Sequence, residues 1–85
     1  MGNRNYEKGR RKEYKVVHEA KAKGHIAFRS AGSHSPVDVV DIDIHERFIR
    51  LVQCKPDSMS ASARQKILDE NNLLNGGFQV RFEVI

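Results

Sequence analysis

Eighty-five residues allow one domain with one modest core, because a short chain buries a smaller share of its surface than a long one. At 39% apolar and 31% charged the composition is globular, and no apolar run approaches the roughly 20 residues that cross a bilayer. A lone cysteine, Cys54, excludes an internal disulfide and a Cys/His metal cluster, so a reducing, cytoplasmic setting is expected. The net charge of +4 is uneven: Arg4, Lys8, Arg10, Arg11, Lys12 and Lys15 crowd the start of the chain, which suits a polyanion such as nucleic acid or, equally, a solvated face.

Residues 1–5 read as a flexible tail and residues 6–85 as a single domain. Between 6 and 23 there is no proline, and Glu, Lys, Arg and Ala dominate, which predicts a helix. At about 100° per residue, Tyr6, Glu13, Val17, Ala20 and Gly24 share one face, with Lys8, Arg11, Lys12 and Lys15 opposite. Glu13 lies in the middle of the apolar stripe, where it either reaches the rim as an ion-pair partner or serves something at the edge of the core. Gly24 ends the helix as its cap.

Residues 25–29, HIAFR, alternate as a first strand with Ile26 and Phe28 on one side. Residues 30–36, SAGSHSP, form a small-residue loop. Its hydroxyls and amides, with His34 beside them, suit a phosphate oxygen, or the loop is simply a connection of turn residues. Residues 37–42 form a second strand with Asp38, Val40 and Ile42 on one face, and residues 43–46 a polar turn. Residues 47–55 form a third strand, with Ile49, Leu51, Gln53 and Lys55 on one face and Phe48, Arg50, Val52 and Cys54 on the other. The first of these faces begins apolar and ends polar, as expected where a strand leaves a core and enters a cleft.

Pro56 stops that strand, and Ser58 or Ser60 caps a second helix running to about residue 75. Its apolar positions are Ala63, Ile67, Leu68 and Leu74, and Gly76-Gly77 terminates it. Residues 78–85 alternate strictly, Phe78, Val80, Phe82 and Val84 against Gln79, Arg81 and Glu83, which predicts a final strand. The order is helix, three strands, helix, strand: an α/β chain with a four-stranded mixed sheet flanked by helices.

An acid on one strand, followed across a hairpin by x-x-K on the next, suits metal-assisted cleavage of a phosphodiester. Asp38 supplies a hard oxygen ligand for Mg²⁺. Gln53 adds its amide oxygen, and the peptide carbonyl of Cys54 points to the same ion. Lys55 is placed to orient or deprotonate the attacking water and to offset charge on the phosphate. Glu13 would hold a metal-bound water or a second ion. Asp41, Asp43 and Asp57 are the rival acids, but Asp41 faces away from Asp38 and Asp43 belongs to the turn. His18, His25 and His45 have no metal-ligand spacing. The Cys54 side chain points opposite to Gln53 and Lys55, as a small apolar residue.

Gly9-x-x-x-Glu13, RSAGS at residues 29–33, P-V-D at residues 36–38 and Q-C-K at residues 53–55 together resemble the PD-(D/E)xK nucleases, and most nearly the archaeal-type Holliday junction resolvases. The resemblance covers about residues 8–55. It implies a restriction-endonuclease-like core and a Mg²⁺-dependent endonuclease, with Mn²⁺ as a substitute, acting on branched DNA as a homodimer. It further implies that Asp38 is the central metal ligand, Gln53 stands at the second acid's position, Lys55 is the catalytic lysine, Glu13 the helix glutamate and Ser33 the loop serine near the scissile phosphate. Lys8, Arg10, Arg11 and Arg29, with Ser30, Ser33 and His34 in the loop, fall where such proteins meet DNA. Gln53 is neutral where the resolvases carry glutamate, which predicts weaker Mg²⁺ binding. A same-fold nuclease acting on flaps, nicks or duplex, a DNA-binding module without hydrolysis, and an assembly protein whose basic helix binds an acidic partner are the competing expectations.

Overall fold

In a computed structural model the residues described are 4–30 and 34–85, with side chains described from Gly9 onward. The chain is α/β. A long helix, α1 (Arg4–Ala22), is followed by β1 (Ile26–Arg29), β2 (Val39–Asp43), β3 (Phe48–Val52), a second helix α2 (Ala61–Glu70) and a 3₁₀ turn (Asn72–Leu74). Arg4 and Asn5, expected in the tail, are already helical, while residues 1–3 lie outside the described residues. No helix among the described residues is long and apolar enough to cross a membrane.

Glu, Lys, Arg and Ala carry α1, which tolerates Gly9 at roughly 1 kcal/mol because its inner face is anchored further on. It ends as expected at Gly24, whose φ of 84° only glycine adopts freely. His25 N–H donates to Ala20 O at 3.1 Å and Gly24 N–H to Lys21 O at 2.9 Å, the paired bonds that close a helix and turn the chain into a strand. Val17 and Ala20 of α1 then bury against Ala27 and Val39, with Val16 and Val52 packed at the margin.

The three strands form one antiparallel sheet in the order β1-β2-β3. Val39 stands opposite both Arg29 and Val52, and Val40 opposite Phe28 and Leu51. At the hairpin Asp43 Oδ1 accepts from the N–H groups of His45 (3.0 Å) and Glu46 (3.2 Å), and Arg47, at φ 53°, completes the turn instead of opening the strand as expected.

Three expectations are corrected. The core lies on the face of Ala27, Val39 and Val52; the face of Ile49 and Leu51, expected to begin in the core, is largely open, as are Ile26 and Phe28. The small side chains Ala20 and Ala27 admit close approach of helix to sheet, so the larger residues fall to the other side. The second helix stops at Glu70, not near 75, because the Asn71 side chain takes the Ile67 carbonyl at 2.9 Å and the chain tightens into the 3₁₀ turn. Finally, the sheet has three antiparallel strands among the described residues, not four in a mixed sheet: residues 78–85 are exposed and outside any strand. Alternation specifies a face, but a strand also needs a partner for its backbone, and β3 keeps its outer edge open.

Candidate active site

Asp38 sits one residue before β2, at the point where both ladders end. Its N–H donates to Val52 O (2.7 Å) and its carbonyl accepts from Ser30 N–H (2.8 Å). The paired register ends at Val39 and Val52: the Asp38 N–H goes to Val52, already the partner of Val39, and not to Gln53, so the chain bends at Asp38 and the alternation expected to put its side chain on the Gln53 and Lys55 face does not carry through. The Asp38 carboxylate is aimed by one bond, from the backbone N–H of Cys54 to Oδ2 at 2.8 Å. Among the described residues that is its one hydrogen bond, so most of its lone pairs stay available.

Gln53 carries the least expected feature. Its side-chain Oε1 is buried with no hydrogen-bond partner among the described residues. An orphaned buried acceptor costs about 1–3 kcal/mol, so a small domain keeps one only when something repays it. Lys55 follows on the same face, half-buried, and its ammonium makes no ion pair among the described residues. Its backbone is held: Lys12 Nζ of α1 donates to Lys55 O at 2.6 Å and reaches Asp57 Oδ1 at 2.6 Å. That hydrogen bond from Lys12 holds the exposed Asp57 carboxyl below its usual range. Gln53 and Lys55 open on a recess that His34, Ser35 and Pro36 line from the other side, about 510 Å³ in volume.

Glu13 comes from the inner face of α1. Its Oε1 accepts from Arg29 Nε at 3.0 Å, so of the two roles open to it the ion pair is present. The bond to Glu13 is the largest influence raising the Arg29 guanidinium's proton affinity. Cys54 is only half-buried, not a core residue: burial pushes its thiol up first, and the charges of Asp38 and Glu13 push it further. Glu13 and Asp38 thus both lie within electrostatic reach of Cys54, while Gln53 and Lys55 occupy the opposite side of the same strand end.

Of the expected DNA contacts, Arg10 and Arg11 are exposed on α1 and Arg29 ends β1 beside them. Ser30 braces Asp38 through its backbone, and His34 is exposed at the recess. Lys8 lies in α1, its side chain outside the described residues, as is Ser33 altogether.

Two groups escaped the sequence reading. Asp41, set aside as a rival acid, is the most buried charge among the described residues, 5% exposed; it accepts from His25 Nδ1 (2.8 Å) and from Arg50 Nε (3.1 Å) and Nη2 (3.0 Å). His25 Nε2 also stands 3.3 Å from Asp43 Oδ2. The signal was present, since the hairpin register sets Asp41 directly opposite Arg50. The other is Tyr14, whose phenol is lowered chiefly by a hydrogen bond with Arg10 and then by the charge of Arg29.

A hard divalent cation fits the first group and not the second. Mg²⁺ is held by one or two protein oxygens and completes its shell with water and phosphate oxygens. Asp38 has open lone pairs and Gln53 an unused amide oxygen, whereas Asp41 is already bonded by His25 and Arg50. No group of three His, Cys, Asp or Glu side chains among the described residues is placed to hold a metal alone, so a metal here would also need Gln53 and substrate oxygens. Compared with family models, curated proteins and solved structures, the chain has no match.

Proposed function

We propose that this chain is a metal-dependent endodeoxyribonuclease of the PD-(D/E)xK type, cutting branched DNA such as the Holliday junction as a homodimer. The observation that carries the reading is the orphaned buried Gln53 Oε1, two residues before Lys55 and next to Cys54, whose N–H holds the Asp38 carboxylate. Asp38, Gln53 and the Cys54 carbonyl would hold Mg²⁺ or Mn²⁺, with Glu13 directly or through water. The ion supplies Lewis-acid polarisation of the phosphate and a more acidic water. Lys55 orients that water, takes part in moving its proton and offsets charge gathering on the phosphate oxygens. Arg10, Arg11, Arg29 and Lys8 meet the DNA backbone, with Ser30, Ser33 and His34 along the loop. Residues 78–85, alternating and unpaired, are the segment that would complete a four-stranded restriction-endonuclease-like core along the open edge of β3.

One observation favours a second reading, a DNA-binding module without hydrolysis: Gln53 removes a negative charge from the site, and Glu13 is already neutralised by Arg29. Incubation of a labelled four-way junction and a linear duplex with Mg²⁺, beside Asp38→Ala and Lys55→Ala, decides between them. The nuclease reading expects junction cleavage by the wild type alone. Cleavage that survives either substitution removes the site, equal cleavage of duplex removes the junction preference, and binding without cleavage establishes the module.

A further inference from the structure

Tyr14 is placed in a way that the cleavage chemistry does not use. Its ring lies on α1, 43% exposed, one residue from Glu13. The Arg29 guanidinium carbon is 4.5 Å from the ring centroid and that of Arg10, one helical turn back, is 6.0 Å away. Arg29 is fixed on both sides: Nη1 donates to the Tyr14 hydroxyl at 3.0 Å and Nε to Glu13 at 3.0 Å. The result is a run of flat cationic and aromatic surfaces starting at a corner of the candidate site.

Phosphate alone does not call for this arrangement, since guanidinium forks bind phosphate oxygens without an aromatic ring. Rings and guanidinium planes together suit an unstacked nucleobase, which offers a π-face to the tyrosine while its own phosphates meet the arginines. In continuous duplex both faces of every base are covered by neighbours, so such a surface has nothing to receive. At a branch point, gap or flap a base face is free.

We propose that Tyr14, with Arg29 and Arg10, is a stacking platform for an unpaired nucleobase next to the cleaved phosphate, and so the part of the chain that selects branched DNA over duplex. It rests on the reading of α1 as the DNA-facing helix of a nuclease, and Tyr14 serves as a binding residue, not a catalytic one.

The test is binding of the full chain, in EDTA so that nothing is cleaved, to a four-way junction carrying 2-aminopurine beside the branch point and to an intact duplex with the same label inside. Tyr14→Phe keeps the ring and is expected to hold the junction within about twofold of wild type. Tyr14→Ala is expected to lose roughly tenfold or more on the junction, about the worth of one stacked base, while duplex affinity stays unchanged. The bound junction should also fluoresce more brightly with Tyr14→Ala, because the quenching ring is gone. Equal losses on junction and duplex would mean phosphate contact only and overturn the platform, as would equal losses for Phe and Ala, which would leave only the hydroxyl's hold on Arg29. A wild type that never cleaves yet shows the Tyr14 pattern removes the nuclease and supports the platform; one that cleaves junctions with no Tyr14 effect removes the platform alone.

Discussion

Replacing Gln53 by glutamate exchanges an orphaned amide oxygen for a carboxylate and leaves the shape of the side chain unchanged. Gln53 precedes Cys54, whose N–H holds the Asp38 carboxylate, and two like charges about 8 Å apart repel by roughly 2 kcal/mol at an effective dielectric constant near 20. Some of this is relieved as the side chains swing apart, so Gln53→Glu should destabilise the metal-free protein by about 1 kcal/mol, on the order of 4–8 °C in melting temperature for a domain of this size. Added Mg²⁺ acts in the opposite direction. A ligand bound only to the folded state stabilises it by RT ln(1 + [L]/Kd), so a tenfold gain in affinity returns about 1.4 kcal/mol at saturating metal. The assay is a thermal melt followed by circular dichroism, with and without about 10 mM MgCl₂, for wild type, Gln53→Glu and Gln53→Met. The methionine variant removes the orphan and should gain about 1 kcal/mol while losing any response to metal. If glutamate melts with wild type in EDTA and both shift equally with Mg²⁺, then Gln53 and Asp38 do not share a metal position, and the reasoning fails at its root.

Asp41→Ala should cost about 2–3 kcal/mol in urea unfolding, below the usual figure for breaking a buried pair because Arg50, half exposed, can return to water. Cleavage per folded molecule should not change, and a selective loss of cleavage would make Asp41 part of the site. Lys12→Met should leave stability nearly unaltered, since its partner Asp57 is exposed, yet lower the cleavage rate several-fold by releasing the Lys55 carbonyl. Because the Asp57 carboxyl is lowered, its contribution to the tie is present above the ordinary carboxylate range and lost only as pH falls through the lowered value; a carboxyl titration by NMR in wild type and Lys12→Met reads it. Cys54 should alkylate slowly with iodoacetamide near neutral pH, because burial and then Asp38 and Glu13 raise its thiol, and several-fold faster in Asp38→Asn. A raised thiol favours the folded state below the ordinary thiol value and ceases to do so as pH rises through the raised one. An unchanged alkylation rate in Asp38→Asn would place Asp38 away from Cys54.

The parts of the fold that could be read ahead are those set by local chemistry. Gly24 ends α1 because the left-handed turn there needs a glycine, and the Val17 and Ala20 stripe is buried as helical spacing requires. The hairpin register follows from its turn as far as Val39 and Val52, but the bend at Asp38 that ends it is not visible in the alternation. Choosing the core face of the sheet was another matter, because both faces alternate. Ile26, Phe28, Ile49 and Leu51 carry more hydrophobic area than Ala27, Val39 and Val52, yet helix packing favours the smaller set, whose close approach leaves Val39 0% exposed. The fourth strand was read from a pattern that names a face and says nothing about a partner. His25 and Asp41 escaped because their encounter joins the start of β1 to the middle of β2, which no spacing within either strand reveals.

Asp38 and Asp41 stand three residues apart with opposite electrostatic situations, and the contrast separates scaffold from candidate site. Asp41 is enclosed by two cationic or hydrogen-donating side chains and has little left to offer a ligand. Asp38 is steered by a single backbone N–H, which fixes its direction without neutralising it. Beside it Gln53 keeps a buried acceptor unused and Lys55 a half-buried ammonium unpaired among the described residues, an arrangement that lowers stability unless a cation and an anion arrive together. On the proposed nuclease reading a metal ion would answer the first two groups, and a phosphate of the DNA would answer both the ion and the lysine. That reading makes a definite demand: metal and DNA should bind cooperatively, each tightening the other by the same factor. Titrating Mg²⁺ by calorimetry into Lys55→Ala with and without a junction measures that factor in a protein expected to bind without cutting. Equal Mg²⁺ affinity in the two titrations would show that Asp38 and Gln53 do not share an ion with substrate.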